Sequence, residues 1–390
     1  MRSITIIGAG IAGPVAALRL AQSGYQCTVF ERASSPQTIG GAINLAPNGL
    51  RLLDRLGVLQ KILRHGCKVD SFEMRNERGG ILGYFPNSST DGYVGVRIMR
   101  AELQRILLGE LAQRGMQVVF QSVLESVSEQ GGKVIAKFSN GTTAEADFLV
   151  GADGIHSTVR KYVLHPQEIS PQYTGTALVY GILDTNNLPT EVVSSMHVML
   201  GVFGRKGFFA AAFCDSQRSR LYWISAVEKP IAEKLDDPVQ IKAQELSKFG
   251  HFYTPIPEII VQTTEFFSWP IYELPVLDHW SRGKVVLVGD AAHAIPPDKG
   301  QGVSQAIEDI FILARIWDSG KELSRYQELR QPRVEKLRET MKLERRDRER
   351  GPWAALLRDW VFWVFLKVVN LLGSWWSDKT FGYDPDVVGI

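Results

Sequence analysis

The chain changes texture over short distances, and each change marks an element. Ser3 to Ile7 is a β-branched run that reads as a strand, and GAGIAG (Gly8 to Gly13) breaks it. Ala16, Ala17, Leu18 and Leu20 then recur at helical spacing, and Cys27 to Glu31 returns to strand. Two later stretches repeat the passage from apolar run to glycine turn to helix. In DFLVGADGIHSTVR (Asp147 to Arg160), Phe148 to Val150 predict a buried strand, and Gly151, Asp153 and Gly154 predict a sharp turn into a helix near Ser157. In Gly283 to Trp317, Val285 to Val288 predict a strand buried on both faces, with Asp290 at its carboxyl end. Pro296 and Pro297 interrupt the chain there, and Gly300 to Gly302 (GQG) open a long helix through Ile307, Ile310, Phe311 and Ala314.

Between the second and third of these stretches the pattern differs. Residues 175–183, 196–204, 207–214, 220–228 and 266–274 read as strands separated by Gly, Asp, Ser and Pro turns. Adjacent strands inserted into an α/β frame predict an antiparallel sheet forming a second domain, to which residues near Asp70 to Val96 add strands, because SFEMRN alternates. Arg333 to Arg350 is a charge-rich helical stretch, read as a solvated face. Trp353 to Trp376 is apolar and rich in Trp, but Arg358, Asp359 and Lys367 interrupt it, which argues against a membrane span. Two readings of it stand: a helix closing across the two domains, or one lying on a membrane surface. YDP (Tyr383 to Pro385) reads as a terminal turn or tail.

Composition narrows the class. The 390 residues predict two to three domains, and 45% hydrophobic with 22% charged residues exclude a disordered or fibrous chain. A formal net charge of +2 supplies no field for nucleic acid. Cys27, Cys67 and Cys214 lack zinc-site spacing and fit a reducing, cytoplasmic compartment. Arg2 followed by an apolar run could head a secretory signal, but the glycine pattern favours a dinucleotide-binding strand–turn–helix–strand unit. In such a unit Gly8 permits the tight turn, Gly10 lets backbone approach a pyrophosphate, and Gly13 allows close helix–strand packing. Glu31 can accept from both ribose hydroxyls and repels a 2′-phosphate, so NADP is not expected at this site.

The three stretches, in this order, resemble the fingerprints of the single-component (class A) FAD-dependent monooxygenases: GxGxxG, then GADG, then GD with a downstream GQG helix. That family includes salicylate and 4-hydroxybenzoate hydroxylases and many natural-product hydroxylases of secondary metabolism. The likeness covers roughly residues 1–345. It implies a discontinuous Rossmann-like FAD-binding domain (1–70, 97–172 and 276–345), a substrate-binding sheet domain (71–96 and 173–275) and a C-terminal helical segment (346–390). It also implies a bound FAD contacted by Gly8, Gly10, Ala12 and Gly13, with Glu31 at the adenosine ribose and Arg32 beside it. Arg100 would reach the phosphate and ribityl region, Asp153 would lie near the flavin and the reductant path, and Asp290 would bond the ribityl hydroxyls. Gly41 and Ala42 would run beside the isoalloxazine, and Gly302, Val303 and Ser304 would aim backbone N–H groups at its pyrimidine ring. Pro297 and Gly300 complete the set. The N-terminal dipole of a helix starting there would favour the negative charge of a reduced flavin. Lys299 and Ser304 depart from the residues usual at their positions; Lys299 reads as a surface or phosphate-facing side chain, or as one touching substrate.

The activity implied is hydroxylation of an aromatic or heteroaromatic small molecule by NAD(P)H and O2, through a flavin C4a-hydroperoxide. Epoxidation, Baeyer–Villiger insertion, a flavin dehydrogenase on the same scaffold and a non-catalytic FAD-binding protein remain alternatives. No second GxGxxG follows, so NADH or NADPH would bind transiently. Phe203, Phe208, Phe209, Phe213, Tyr222 and Trp223 crowd the predicted sheet, either as its core or as a planar apolar pocket. Tyr180 stands where relatives often carry an Arg before Gly; with Tyr222 it is the candidate to orient a substrate oxygen or relay its proton. His293 reads as structural.

Overall fold

The computed structural model describes residues 1–36, 40–196, 198–204, 207–229, 237–297, 300–346, 352–373, 375–376 and 381–390. A parallel sheet forms around Ser3–Ile7, whose isoleucines are all buried. This strand pairs in parallel with Gln26–Phe30 on one side and Phe148–Gly151 on the other. Gln117–Val119 and Val285–Leu287 extend the sheet, and the short antiparallel Ser281–Arg282 ends it. Helix Ala12–Gln22 packs against the long helix Gly302–Ser319, which is buried along most of its length. The strands leading into the three glycine turns are therefore neighbours in one sheet. Leu124–Gln130, Lys133–Phe138 and Thr143–Ala146 add a small antiparallel sheet that the sequence patterns did not predict.

The second sheet has seven strands, in the order 265–273, 172–184, 220–228, 207–213, 199–204, 71–76 and 81–86. Alternation along the strands divides its side chains between two faces. Val179, Leu183, Phe209, Leu221 and Trp223 pack under helices Pro238–Phe249 and Ile256–Gln262. Tyr180, Ile182 and Tyr222 point the other way, against Ala42 and Met99 of the small sheet formed by Ala42–Leu45, Val96–Met99 and Cys67–Lys68. The expectation of an antiparallel sheet needs one correction: Met199–Gly204 pairs in parallel with Ser71–Asn76. No hairpin joins these two strands, so nothing local imposes an antiparallel sense.

Among the described residues, the C-terminal helix Pro352–Leu372 does not close across the two halves. It lies on the edge strand Ile81–Pro86, with Leu366 and Val369 buried and Phe362 set against Phe203 and Phe85. Positions 362, 366 and 369 make one helical stripe, so a single face docks. Trp360, Val361, Trp363, Val368 and Leu371 stay exposed. Among the described residues no helix is long and apolar enough to cross a membrane. Tyr383 to Pro385, read as a turn or tail, and the residues around them bind the nucleotide-side body. Arg51 donates to the Tyr383 carbonyl at 3.2 Å, Arg55 forks onto Asp384 and Asp386, and Arg315 donates to the carbonyls of Pro385 and Val388.

Candidate active site

The carboxyl ends of Ser3–Ile7, Phe148–Gly151 and Val285–Leu287 lie side by side, so the turns that follow them share one rim. Gly8 has φ +105°, and a Cβ there would sit 2.5 Å from the Ala152 carbonyl oxygen and 3.1 Å from the Asp153 Cα. At Gly13 a Cβ would come within 1.8 Å of the Gly8 carbonyl oxygen. Neither position has room for a side chain. The turn is pinned from outside: Gly8 N–H donates to Phe30 O at 2.8 Å and Gln104 Nε2 to Ala9 O at 2.6 Å. Helix Ala12–Gln22 starts without a side-chain cap, so its leading N–H groups lack intrahelical acceptors. Glu31 accepts from Ala9 N–H at 2.7 Å on one oxygen and from Ala33 N–H at 2.9 Å on the other, and each oxygen keeps capacity for a hydroxyl donor. Arg32, next to it, is exposed.

Arg100 ties this turn to the Gly40–Gly41 stretch. Its N–H donates to Gly41 O at 3.1 Å, and its side chain passes 3.2 Å from the Cβ position of Gly40 and 3.5 Å from that of Gly10. Asp290 opens the short helix Asp290–His293 after the left-handed Gly289, whose Cβ position is 3.8 Å from Ala12 Cβ and 2.9 Å from Ala306 Cβ. The Asp290 side chain is open to the rim yet ringed by protein. That desolvation pushes its carboxyl above the ordinary range, against the pull of His293 and Arg100. Asp153 is engaged at its own corner, accepting from Ser157 Oγ at 2.6 Å, Thr158 N at 2.7 Å and Val159 N at 3.1 Å. From the same corner Arg160 reaches across to Ala291 O at 3.1 Å, joining the second motif to the third.

Helix Gly302–Ser319 also begins uncapped by Gln301, leaving the N–H groups of Gly302, Val303 and Ser304 outside the helical ladder. Gly300 lies against Asn44, its Cβ position 3.4 Å from that of Asn44, while Pro297 is exposed. The Ser304 hydroxyl is fully buried, without a hydrogen-bond partner among the described residues, 2.7 Å from the Cβ position of Gly49. Lys299 lies outside the described residues. Behind this rim is a buried charge network. Asp309 accepts from Gly289 N–H at 2.9 Å, the His293 ring at 2.6 Å and Arg330 Nε at 2.7 Å. Glu308 meets Arg330, both ends of Arg333, and Asn48. His293 is thus committed to holding the Gly289–Asp290 turn.

Across from Gly41 is an aromatic wall. Tyr180 stacks on Phe267 at 4.8 Å and meets Tyr222 at 5.4 Å, and a Cβ at Gly41 would lie 2.6 Å from the Tyr222 hydroxyl. Burial pushes both phenols above their usual range, so at neutral pH they are hydrogen-bond donors and not bases. The other aromatics of the sheet go elsewhere: Phe209, Phe213 and Trp223 to the helix-covered core, and Phe203 and Phe208 to the edge beneath Phe362. Arg97, not singled out by the sequence, stands in the wall. Its guanidinium lies 4.9 Å over the Tyr222 ring. The only signal for it was its place two residues before Met99 on a strand that alternates between the nucleotide-side core and the Tyr180–Tyr222 cluster.

Two uncapped helix N-termini, a carboxylate with spare acceptor capacity and glycines without room for a Cβ fit a pyrophosphate-bridged dinucleotide such as FAD. The comparisons agree. The family model described as "FAD binding domain" matches residues 1–340. The 3-amino-4-hydroxybenzoate 2-monooxygenase PtmB3 of Streptomyces platensis is 32% identical, over 89% of this chain and 87% of its own length. The 6-hydroxynicotinate 3-monooxygenase of Bordetella bronchiseptica is 28% identical, over 81% of this chain and 82% of its own. Among solved structures, Klebsiella pneumoniae HpxO complexed with FAD and uric acid superposes with a TM-score of 0.84 at 24% identity, covering 97% of this chain and 96% of that one, and shows the same fold.

Proposed function

The chain belongs to the FAD-binding-domain family of class A flavin-dependent aromatic monooxygenases, and from that premise we propose that it hydroxylates a small planar ring held between Tyr180, Tyr222 and Phe267 and the flavin. The observation that carries this reading is the closeness of Tyr222 to Gly41, which sets the aromatic wall directly against the glycine stretch beside the cofactor site. A bound FAD would supply the capacity to take hydride from NAD(P)H and to activate O2. The chain supplies position and dryness. Glu31 takes the ribose hydroxyls, Gly8 to Gly13 and Arg100 the pyrophosphate, and Asp290 the ribityl chain. Gly41 and Ala42 flank the ring system, and the N–H groups of Gly302, Val303 and Ser304 favour negative charge on its pyrimidine edge. Tyr222, kept protonated by burial, donates to a substrate oxygen and fixes which ring carbon faces the flavin. Tyr180 supports it through ring contact.

Three free, buried cysteines fit a cytoplasmic setting. The exposed Trp360, Trp363 and Trp375 suit weak contact with a membrane surface. The test is NADH, NADPH and O2 consumption by the purified yellow protein with hydroxybenzoates, hydroxypyridines and hydroxyquinolines. Ligand-stimulated uptake with 18-O in the product is expected. Product formed without O2 would overturn the reading.

A further inference from the structure

The segment 381–390 is held chiefly by cations from two helices that begin at the cofactor rim. Helix Pro47–Arg55 follows the Gly41–Ala42 stretch. From it Arg51 donates to the carbonyls of Phe381 and Tyr383 at 3.4 and 3.2 Å, and Arg55 pairs with both Asp384 and Asp386. Helix Gly302–Ser319 gives Arg315 to the carbonyls of Pro385 and Val388, and Lys321, just beyond it, donates to that of Ile390 at 2.8 Å. Apolar anchoring is light: Phe381 and Pro385 are buried, while Val388 and Ile390 are half-buried. Ion pairs as exposed as Arg55 with Asp386 add little each, so this segment opens more easily than the helices beneath it. It covers the buried charge network. The centre of the Tyr383 ring lies 4.1 Å from Arg333 Cζ and 5.4 Å from Arg330 Cζ. Arg330 holds Asp309, and Asp309 holds the N–H of Gly289, which positions Asp290. Such pairs are strong only while water is kept out. The Tyr383 hydroxyl has no hydrogen-bond partner among the described residues, so the ring makes the seal.

We propose that residues 381–390 are a latch on the cofactor site: closed, they keep water off the charge network that holds the Gly289–Asp290 turn, and open, they let FAD go. This goes beyond oxygenation and rests only on FAD occupying the site described above. Lifting Tyr383 hydrates Arg330 and Arg333 and weakens their grip on Asp309 and Glu308. It also frees the far ends of the two helices whose beginnings flank the flavin. Tyr383 is thus a positioning residue, acting through Arg330 and Asp309.

The experiment compares the wild type with a chain ending at residue 380, Tyr383→Ala and Tyr383→Phe. FAD affinity is read from flavin fluorescence as FAD-free protein is titrated. Loss of two cation–π contacts predicts an FAD Kd raised roughly tenfold in the shortened chain and in Tyr383→Ala. Tyr383→Phe keeps the ring and should stay within about twofold of wild type. Coupling is reciprocal, so FAD must favour the closed latch by the same factor. Amide exchange over 381–390 should therefore be roughly tenfold slower in FAD-loaded than in FAD-free wild type. At fixed FAD, the gap between the thermal midpoints of loaded and FAD-free protein should narrow in Tyr383→Ala. Equal falls of both midpoints with an unchanged Kd would make the segment a plain stabiliser and overturn the latch. Exchange indifferent to FAD, or Tyr383→Phe as weak as Tyr383→Ala, would overturn it too. The Tyr383 variants and the exchange comparison decide the matter even where the shortened chain does not fold. Wild-type protein that takes up no FAD would overturn the cofactor site and hydroxylation with it, whereas FAD held equally tightly by every variant overturns the latch alone.

Discussion

Asp309 gives a demanding test of how the site is held together. Its side chain is fully buried and accepts from three donors: Gly289 N–H, His293 and Arg330 Nε. Asp309→Ala strips all three and leaves Arg330 and Arg333 sharing one buried carboxylate, Glu308. Breaking a buried ion pair from one side costs about 3–5 kcal/mol, and an orphaned donor about 1–3 kcal/mol. These overlap, because the same carboxylate serves every donor, so the expected total stays near 3–5 kcal/mol. At roughly 2 °C per kcal/mol for a chain this long, the thermal midpoint should fall by about 6–10 °C. FAD should leave earlier still, because the Gly289–Asp290 turn loses its anchor. The acid limb carries a sign. Burial alone would push the Asp309 and Glu308 carboxyls up, but His293 and Arg330 for the one, and Arg333 and Arg330 for the other, hold both below the usual carboxylate range. Their stabilisation is complete above the unfolded carboxylate pKa, about 4, and is lost as pH falls through the lower folded values. Circular dichroism and flavin-fluorescence melts of the wild type, Asp309→Asn and Asp309→Ala between pH 3 and 8 would measure both effects. A midpoint for Asp309→Ala within about 1 °C of wild type, with the acid limb unchanged, would refute the reasoning.

Gly13→Ala forces a methyl onto the Gly8 carbonyl, which is backbone and cannot swing away. At about 1–3 kcal/mol of overpacking, FAD affinity should drop roughly ten- to a hundredfold in equilibrium dialysis, and full retention would contradict the fit. Burial pushes the thiols of Cys27 and Cys214 up to about 12, so at pH 8 the thiolate fraction is roughly one in ten thousand. Native protein should then react with a disulfide reagent at least about a hundred times more slowly than unfolded protein, and labelling of either residue on mixing would be the adverse result. Leu366→Ala should loosen the C-terminal helix by about 2–5 kcal/mol, read as faster amide exchange over 352–372. Trp363→Ala, on the exposed side, should change it by less than about 0.5 kcal/mol; equal effects would mean another stripe docks.

The sequence by itself determined the nucleotide-binding frame. Strand, GAGIAG turn and helix are legible because their constraints are local: side-chain period, and glycine where a Cβ would strike the next turn of backbone. The two later turns were legible for the same reason, as were the strands of the inserted sheet. Tertiary structure alone decided which aromatics stand against Gly41 and Ala42. Of Phe203, Phe208, Phe209, Phe213, Tyr222 and Trp223, only Tyr222 joins Tyr180 in the cluster against Ala42, because strand pairing and register set the face each one takes. Arg97 and Arg100 sit three residues apart in VRIMR, and no local rule ranks them. One lies within strand Val96–Met99 without a counter-ion among the described residues, and the other starts a helix against Gly41. Likewise the Asn48–Glu308 link of the buried charge network and the docking of the last ten residues join segments far apart in the chain. Burial and charge balance are properties of the surfaces that meet, so they exist only once distant segments have been brought together.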